Sequence, residues 1–209
     1  METLEYIKNK YCITSDKQVI QIDHMNREDL AGLFRELGYK TGAEIGTLRG
    51  DYALTLCENI PGLRLYCVDP YKEYKVHYFW HTQEELDEAY EIAQEKLSEF
   101  DVMFIKEKSV LASEKLHNNS LDFVYIDADH TFRHVVDDID SWYQKVRKGG
   151  IIAGHDYLKR KKPTNTHVIE AVNAFADSYS IKPIFITDRP ADLKGKNRDM
   201  ARSWFIVKL

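Results

Sequence analysis

Cysteine is scarce in this 209-residue chain, with Cys12, Cys57 and Cys67 the three present. An odd number without metal-type spacing excludes a disulfide scaffold and a thiolate metal cluster. The three read as reduced, mostly buried thiols of a cytoplasmic protein. Long apolar runs are missing too. None approaches the roughly 20 residues of a membrane-spanning helix, so no membrane partner is expected. The opening Met1-Glu2-Thr3-Leu4-Glu5 lacks the basic start and apolar stretch of a secretory signal. Positive charge is not in excess: a net charge of −5 argues against a broad nucleic-acid-binding face. No repeat or low-complexity linker divides the chain, and its length suits one α/β domain.

What the chain does have is an alternation of strands and helices. Phe123-Val124-Tyr125-Ile126 is a continuous apolar run that ends abruptly at Asp127-Ala128-Asp129-His130. Such a run marks a strand buried on both faces of a parallel sheet. Ligands of these sheets bind just beyond the carboxyl ends of the strands, so Asp127, Asp129 and His130 stand where chemistry is expected. Further strands are expected at 43–46, 63–68, 102–105, 151–154, 183–187 and 203–208. Asn26 caps a helix that carries Leu30, Leu33, Phe34 and Leu37 and ends at Gly38. Thr82-x-x-Glu85 is a capping-box pattern. Helices are also expected after Gly50, at 110–116, along Val135, Ile139, Trp142 and Val146 up to Lys148-Gly149-Gly150, and at 167–176. The fold class is therefore α/β: a doubly wound, Rossmann-like, mostly parallel seven-stranded sheet with a C-terminal antiparallel hairpin at its edge. Residues 26–209 form this single domain. Residues 1–25 are set apart as an N-terminal extension, suited to a lid or a homodimer contact.

The turn after the first strand reads Glu44-Ile45-Gly46-Thr47-Leu48-Arg49-Gly50. Gly46 and Gly50 permit a tight turn and close backbone approach to a ligand. The pattern is E-x-G-x-x-x-G, and the acidic residue carries information. A dinucleotide sets an anionic pyrophosphate at this turn, which Glu44 and Asp51 would repel. A cationic ligand is favoured instead. Asp69 ends the next strand, about 20 residues on, where a carboxylate accepts ribose hydroxyls.

Asp127 and Asp156 each end a strand, so their carboxylates can converge on one cation. His130, three residues after Asp127, reaches the same opening and suits proton transfer near neutrality. A neutral hydroxyl is a poor nucleophile, and a metal or a base must help remove its proton. Asp129 reads as a helix N-terminal residue favoured by the dipole. Asp137, Asp138 and Asp140 read as the solvated face of a helix, and His134 as a surface residue.

The element order and the segment 44–69 resemble class I S-adenosylmethionine-dependent methyltransferases, whose donor carries a sulfonium and an ammonium. The resemblance implies that Glu44, Gly46, Thr47, Gly50 and Asp69 line the cofactor site, with Ser109 near the adenine and Asp127 also touching the cofactor. Segment 44–156 further resembles the metal-dependent O-methyltransferases of the catechol and macrolide-sugar types. That likeness implies a divalent metal on Asp127, His155 and Asp156, with His130 as the catalytic base. His155 stands where the family carries a carboxylate, so Mg²⁺ shares its place with Mn²⁺ and Fe²⁺. Alternatively, Asp156 alone supplies the ligand after a one-residue shift.

The expected acceptor is a small hydroxylated molecule, a sugar or a phenol. Segment 70–81 carries five aromatics and two histidines and suits a lid or pocket wall, or else core filling. Lys159-Arg160-Lys161-Lys162, with Arg189, Lys194, Lys196, Arg198 and Arg202, would suit an anionic substrate if the two loops meet. The competing readings are a metal-independent methyltransferase, a nicotinamide-dependent oxidoreductase and a non-catalytic binding module.

Overall fold

The computed structural model describes residues 2–73, 81–159, 166–188 and 201–209. Among these, seven helices and eight strands alternate: α1 (Thr3–Lys10), β1 (Val19–Ile22), α2 (Arg27–Glu36), β2 (Thr41–Ile45), α3 (Asp51–Asn59), β3 (Arg64–Val68), α4 (Gln83–Lys96), β4 (Asp101–Ile105), α5 (Ser109–Ser113), β5 (Leu121–Ile126), α6 (Phe132–Tyr143), β6 (Val146–Gly154), α7 (Val168–Ser178), β7 (Ile184–Thr187) and β8 (Trp204–Val207).

Local chemistry sets the helix starts. Asn26 Oδ1 accepts the N–H groups of Glu28 and Asp29, and Asp29 Oδ2 accepts the Asn26 N–H in return. Thr82 and Glu85 make the same reciprocal pair at α4. The first box satisfies three N–H groups and the second two, donors that a helix start leaves orphaned.

The strand order is β1-β7-β8-β6-β5-β2-β3-β4. Strands β4, β3, β2, β5 and β6 run parallel. β8 is antiparallel to both β6 and β7, which is the expected hairpin. The sheet carries one strand more than the seven expected. β1 pairs parallel with β7, from Val19↔Ile184 to Ile22↔Thr187, so the hairpin lies inside the sheet instead of at its edge. Residues 3–22 thus contribute α1 and β1 to the fold. Ile7 is fully buried, and Thr3 Oγ1 donates to the Gly149 carbonyl at 2.6 Å. The Lys148-Gly149-Gly150 segment, read as a helix end, lies within β6. The preceding helix stops at Tyr143.

Alternation along β5 divides the core. Phe123 and Tyr125 join α1, α2 and α3 on one face. Val124 and Ile126 join α5, α6 and α7 on the other. Phe123 stacks on Phe34 at 4.3 Å, and a Cβ on Gly42 would lie 2.2 Å from its ring. Truncating such an aromatic costs about 3–5 kcal/mol. This packing fixes β2 against β5, and the order reverses there: β2 has β3 on one side and β5 on the other. That reversal opens a crevice at the carboxyl ends of the strands.

Candidate active site

The crevice is built first from the β2–α3 turn. Gly46 has φ +92°, and a Cβ there would lie 2.1 Å from the Asp127 carbonyl oxygen. A side chain is excluded because the turn presses against the end of β5, where Asp127 N–H donates to Ile45 O at 2.8 Å. Gly50, with φ +71°, caps α3 in the left-handed region. Leu48 occupies the same region with φ 45°, at a cost of about 1–2 kcal/mol for a residue with a Cβ.

Glu44 and Thr47 lie buried beneath this turn. Glu44 Oε2 and Thr47 Oγ1 lack a well-aligned hydrogen-bond partner among the described residues, although the neighbouring Thr47 hydroxyl favours the Glu44 carboxylate. Burial pushes the Glu44 carboxyl well above its usual range, and the charges of Asp127 and Asp69 push the same way. A buried acceptor without a well-aligned donor is costly, and this one sits where the donor's cationic end is expected. The fit to an ammonium-bearing ligand is therefore good.

At the end of β3, Asp69 Oδ2 accepts the Leu48 N–H at 3.0 Å and Oδ1 accepts the Tyr71 N–H at 2.9 Å. Burial raises its pKa, and these two N–H groups oppose the rise. Tyr71, within the segment read as a lid, a pocket wall or core filling, is buried against the glycine turn: its hydroxyl donates to Leu48 O at 2.7 Å. The remainder of that wall, residues 74–80, lies outside the described residues. Ser109 begins α5, and its Oγ accepts Trp142 Nε1–H at 2.9 Å.

Beneath Ser109 the structure corrects one expectation. Asp138 is not on a solvated face; it is 4% exposed. Burial lifts its carboxyl to about 7, against the hydrogen bond from Ser109. The signal was in the helix phase. Asp138 falls at i+3 from Val135 and i−4 from Trp142, on the buried stripe.

The second half of the crevice gathers four sequence-predicted residues. His130 Nε2 lies 3.4 Å from Asp127 Oδ1 and 3.1 Å from Asp156 Oδ2. His155 Nδ1 lies 3.6 Å from Asp127 Oδ2 and 3.6 Å from Asp156 Oδ2. Ligand atoms of Asp127, His130 and Asp156 fall within 4.8 Å of one another. Asp156, two residues after β6, adopts φ 57°, which turns the chain at the strand end. His155 N–H donates to Ile126 O at 3.0 Å, and His130 O accepts the His167 N–H at 2.8 Å. Burial alone would lower the His130 pKa; the hydrogen bond with Asp127 and the charges of Asp156 and Asp127 outweigh it and raise it. Chemically, the group offers two carboxylates and two imidazoles around one small volume. That donor set fits a divalent cation with mixed nitrogen and oxygen preference.

Asp129 stands apart from this group. Its Oδ1 accepts the Thr131 N–H at 2.8 Å and faces His134 at 3.3 Å, at the start of α6. Of the basic residues, 160–165 and 189–200 lie outside the described residues, which removes Arg160, Lys161, Lys162, Arg189, Lys194, Lys196 and Arg198 from view. Arg202 lies two residues before β8, its Nε buried and without a hydrogen-bond partner among the described residues. Its carbonyl accepts the N–H of Tyr157, next to Asp156, at 3.0 Å.

Comparison with known proteins matches this fold. Residues 43–157, more than half of the chain, match the model of a methyltransferase-domain family. The chain belongs to that family, and it is a class I S-adenosylmethionine-dependent methyltransferase. Among solved structures it is similar to the O-methyltransferase from Bacillus cereus in complex with S-adenosylhomocysteine, at 16% identity and TM-score 0.57, covering 99% of this chain and 90% of that one. It is also similar to a candidate O-methyltransferase from Klebsiella pneumoniae, at 18% identity and TM-score 0.58, covering 87% and 79%. A candidate rRNA methylase from Clostridium thermocellum aligns at 14% identity and TM-score 0.59, covering 88% and 98%. No curated protein matches the sequence. Among the described residues, no helix is long and apolar enough to cross a membrane.

Proposed function

We propose that this methyltransferase acts on a hydroxyl oxygen of a small molecule, with a divalent cation held by Asp127, Asp156 and His155. The observation that carries the reading is the convergence of two carboxylates and two imidazoles from the ends of β5 and β6. This group stands beside the glycine turn, joined to it through the Asp127 backbone. The cation would supply Lewis acidity and orient the acceptor oxygen. Mn²⁺ and Fe²⁺ suit the His155 imidazole better than Mg²⁺, which prefers oxygen ligands.

The remaining work falls to side chains. Glu44 and Thr47 bind the cationic end of S-adenosylmethionine, the methyl source, and Asp69 binds its ribose. Gly46 and Gly50 let the backbone approach the ligand. Ser109 lies on the adenine side. Asp127 and Asp156 fix the acceptor oxygen in line with the methyl group, where alignment supplies much of the rate. His130 Nε2, half-enclosed between the carboxylates, accepts the hydroxyl proton. The buried Arg202 Nε, without a hydrogen-bond partner among the described residues, supports an acceptor that carries an anionic group.

The test is methyl transfer from labelled donor to a panel of sugars and phenols, with and without carboxylate groups. Transfer to hydroxyl oxygen that is lost in Asp156→Asn supports the reading. Transfer to RNA alone, or to nitrogen or carbon acceptors, contradicts it.

A further inference from the structure

Three groups around the ribose carboxylate close into a ring. Leu48 N–H reaches Asp69 Oδ2 at 3.0 Å, Tyr71 N–H reaches Asp69 Oδ1 at 2.9 Å, and Tyr71 Oη–H reaches Leu48 O at 2.7 Å. Both donor residues are in the left-handed region, Leu48 at φ 45° and Tyr71 at φ 44°. A side chain with a Cβ adopts that conformation only when its surroundings hold it there. For Leu48 the holding bond is the Tyr71 hydroxyl. For Tyr71 it is burial to 2% exposure, packing on Tyr90 at 4.8 Å, and the Gln83 amide, which donates to Tyr71 O at 3.0 Å.

We propose that Tyr71 is a positioning residue for cofactor recognition: its hydroxyl locks the Leu48 turn so that two backbone N–H groups orient the Asp69 carboxylate toward the ribose hydroxyls. Each carboxylate oxygen accepts one N–H and retains a second acceptor direction for a hydroxyl. Preset in this way, Asp69 does not have to be ordered when the ligand arrives. Without the Tyr71 hydroxyl, Leu48 is free to leave the left-handed region and withdraws its N–H from Asp69. The inference rests on Asp69 as the ribose-binding carboxylate.

The experiment compares calorimetric affinities for S-adenosylhomocysteine and its 2′-deoxy and 3′-deoxy derivatives. Wild type, Tyr71→Phe, Gln83→Ala and Asp69→Asn are measured in parallel. Tyr71→Phe keeps the buried ring, and Gln83→Ala changes an exposed side chain, so neither removes the core. Wild type is expected to favour the full ribose by about ten-fold, the scale of a hydrogen bond to a charged group. Asp69→Asn is expected to abolish that preference. Tyr71→Phe is expected to lose most of it, and Gln83→Ala part of it, while both bind the weaker deoxy derivative within about two-fold of wild type. A Tyr71→Phe variant that keeps the full preference overturns the positioning role and leaves the Asp69 assignment standing. An Asp69→Asn variant that keeps it overturns the Asp69 assignment and this inference with it.

Discussion

His130 and Asp156 meet across two strand ends, with Nε2 3.1 Å from Oδ2. Asp127 Oδ1 approaches the same imidazole nitrogen at 3.4 Å. His155 approaches both carboxylates through Nδ1 at 3.6 Å. The two histidines therefore share their acidic neighbours but are given different roles here.

Those roles separate in two variants. His130→Ala should bind Mn²⁺ within about three-fold of wild type while turnover falls about 100-fold, the scale of a lost general base. His155→Ala should weaken Mn²⁺ binding by at least about ten-fold. Calorimetric Mn²⁺ titration with single-turnover kinetics reads both. Loss of cation binding in His130→Ala alone would exchange the assignments.

Gly46 is expected to tolerate no side chain. In Gly46→Ala, the Cβ meets the Asp127 carbonyl oxygen at 2.1 Å and the backbone stays at φ +92°. Strain and overpacking together should destabilise the fold or the turn by about 3 kcal/mol. Gly32 is the control, with nothing within 4 Å of its Cβ position. Gly32→Ala in α2 should be neutral or stabilise by up to about 1 kcal/mol. Denaturant melts and S-adenosylhomocysteine titrations of the pair check this, and equal behaviour of the two variants contradicts it.

Asp138 should make stability fall as pH rises. Its carboxyl is held up to about 7 in the fold, against roughly 3.9 in an unfolded chain. Below about pH 4 both states are protonated and the group contributes no pH dependence. From pH 4 to 7 the unfolded state ionises first and is favoured, so the cost grows and is complete above pH 7. It amounts to about 4 kcal/mol at most. Asp138→Asn should therefore raise the melting temperature at pH 8 and change it little at pH 4. Equal gains at both pH values would contradict the burial argument.

The parallel half of the sheet was legible because its strands are continuous apolar runs separated by capped helices, as at Asn26 and Thr82. The meeting of Asp127, His130, His155 and Asp156 was legible for a related reason. Strand ends in such sheets face one crevice. β1 was not legible: four residues, Val19–Ile22, pair with a strand far along the chain, and no local pattern announces such a partner. Asp138 was hidden by its company, because Asp137 and Asp140 are equally acidic and only the phase with Val135 and Trp142 separates it. Tyr71 was hidden among aromatic neighbours. Its role depends on the left-handed Leu48, which composition does not reveal.

The most direct measurement is methyl transfer to a hydroxylated acceptor after exhaustive EDTA treatment, followed by Mn²⁺ titration. Activity is expected to fall at least about 100-fold on chelation and to return with Mn²⁺ in wild type, but not in Asp127→Asn or Asp156→Asn. Unchanged turnover in excess EDTA would contradict a cation held between these strand ends.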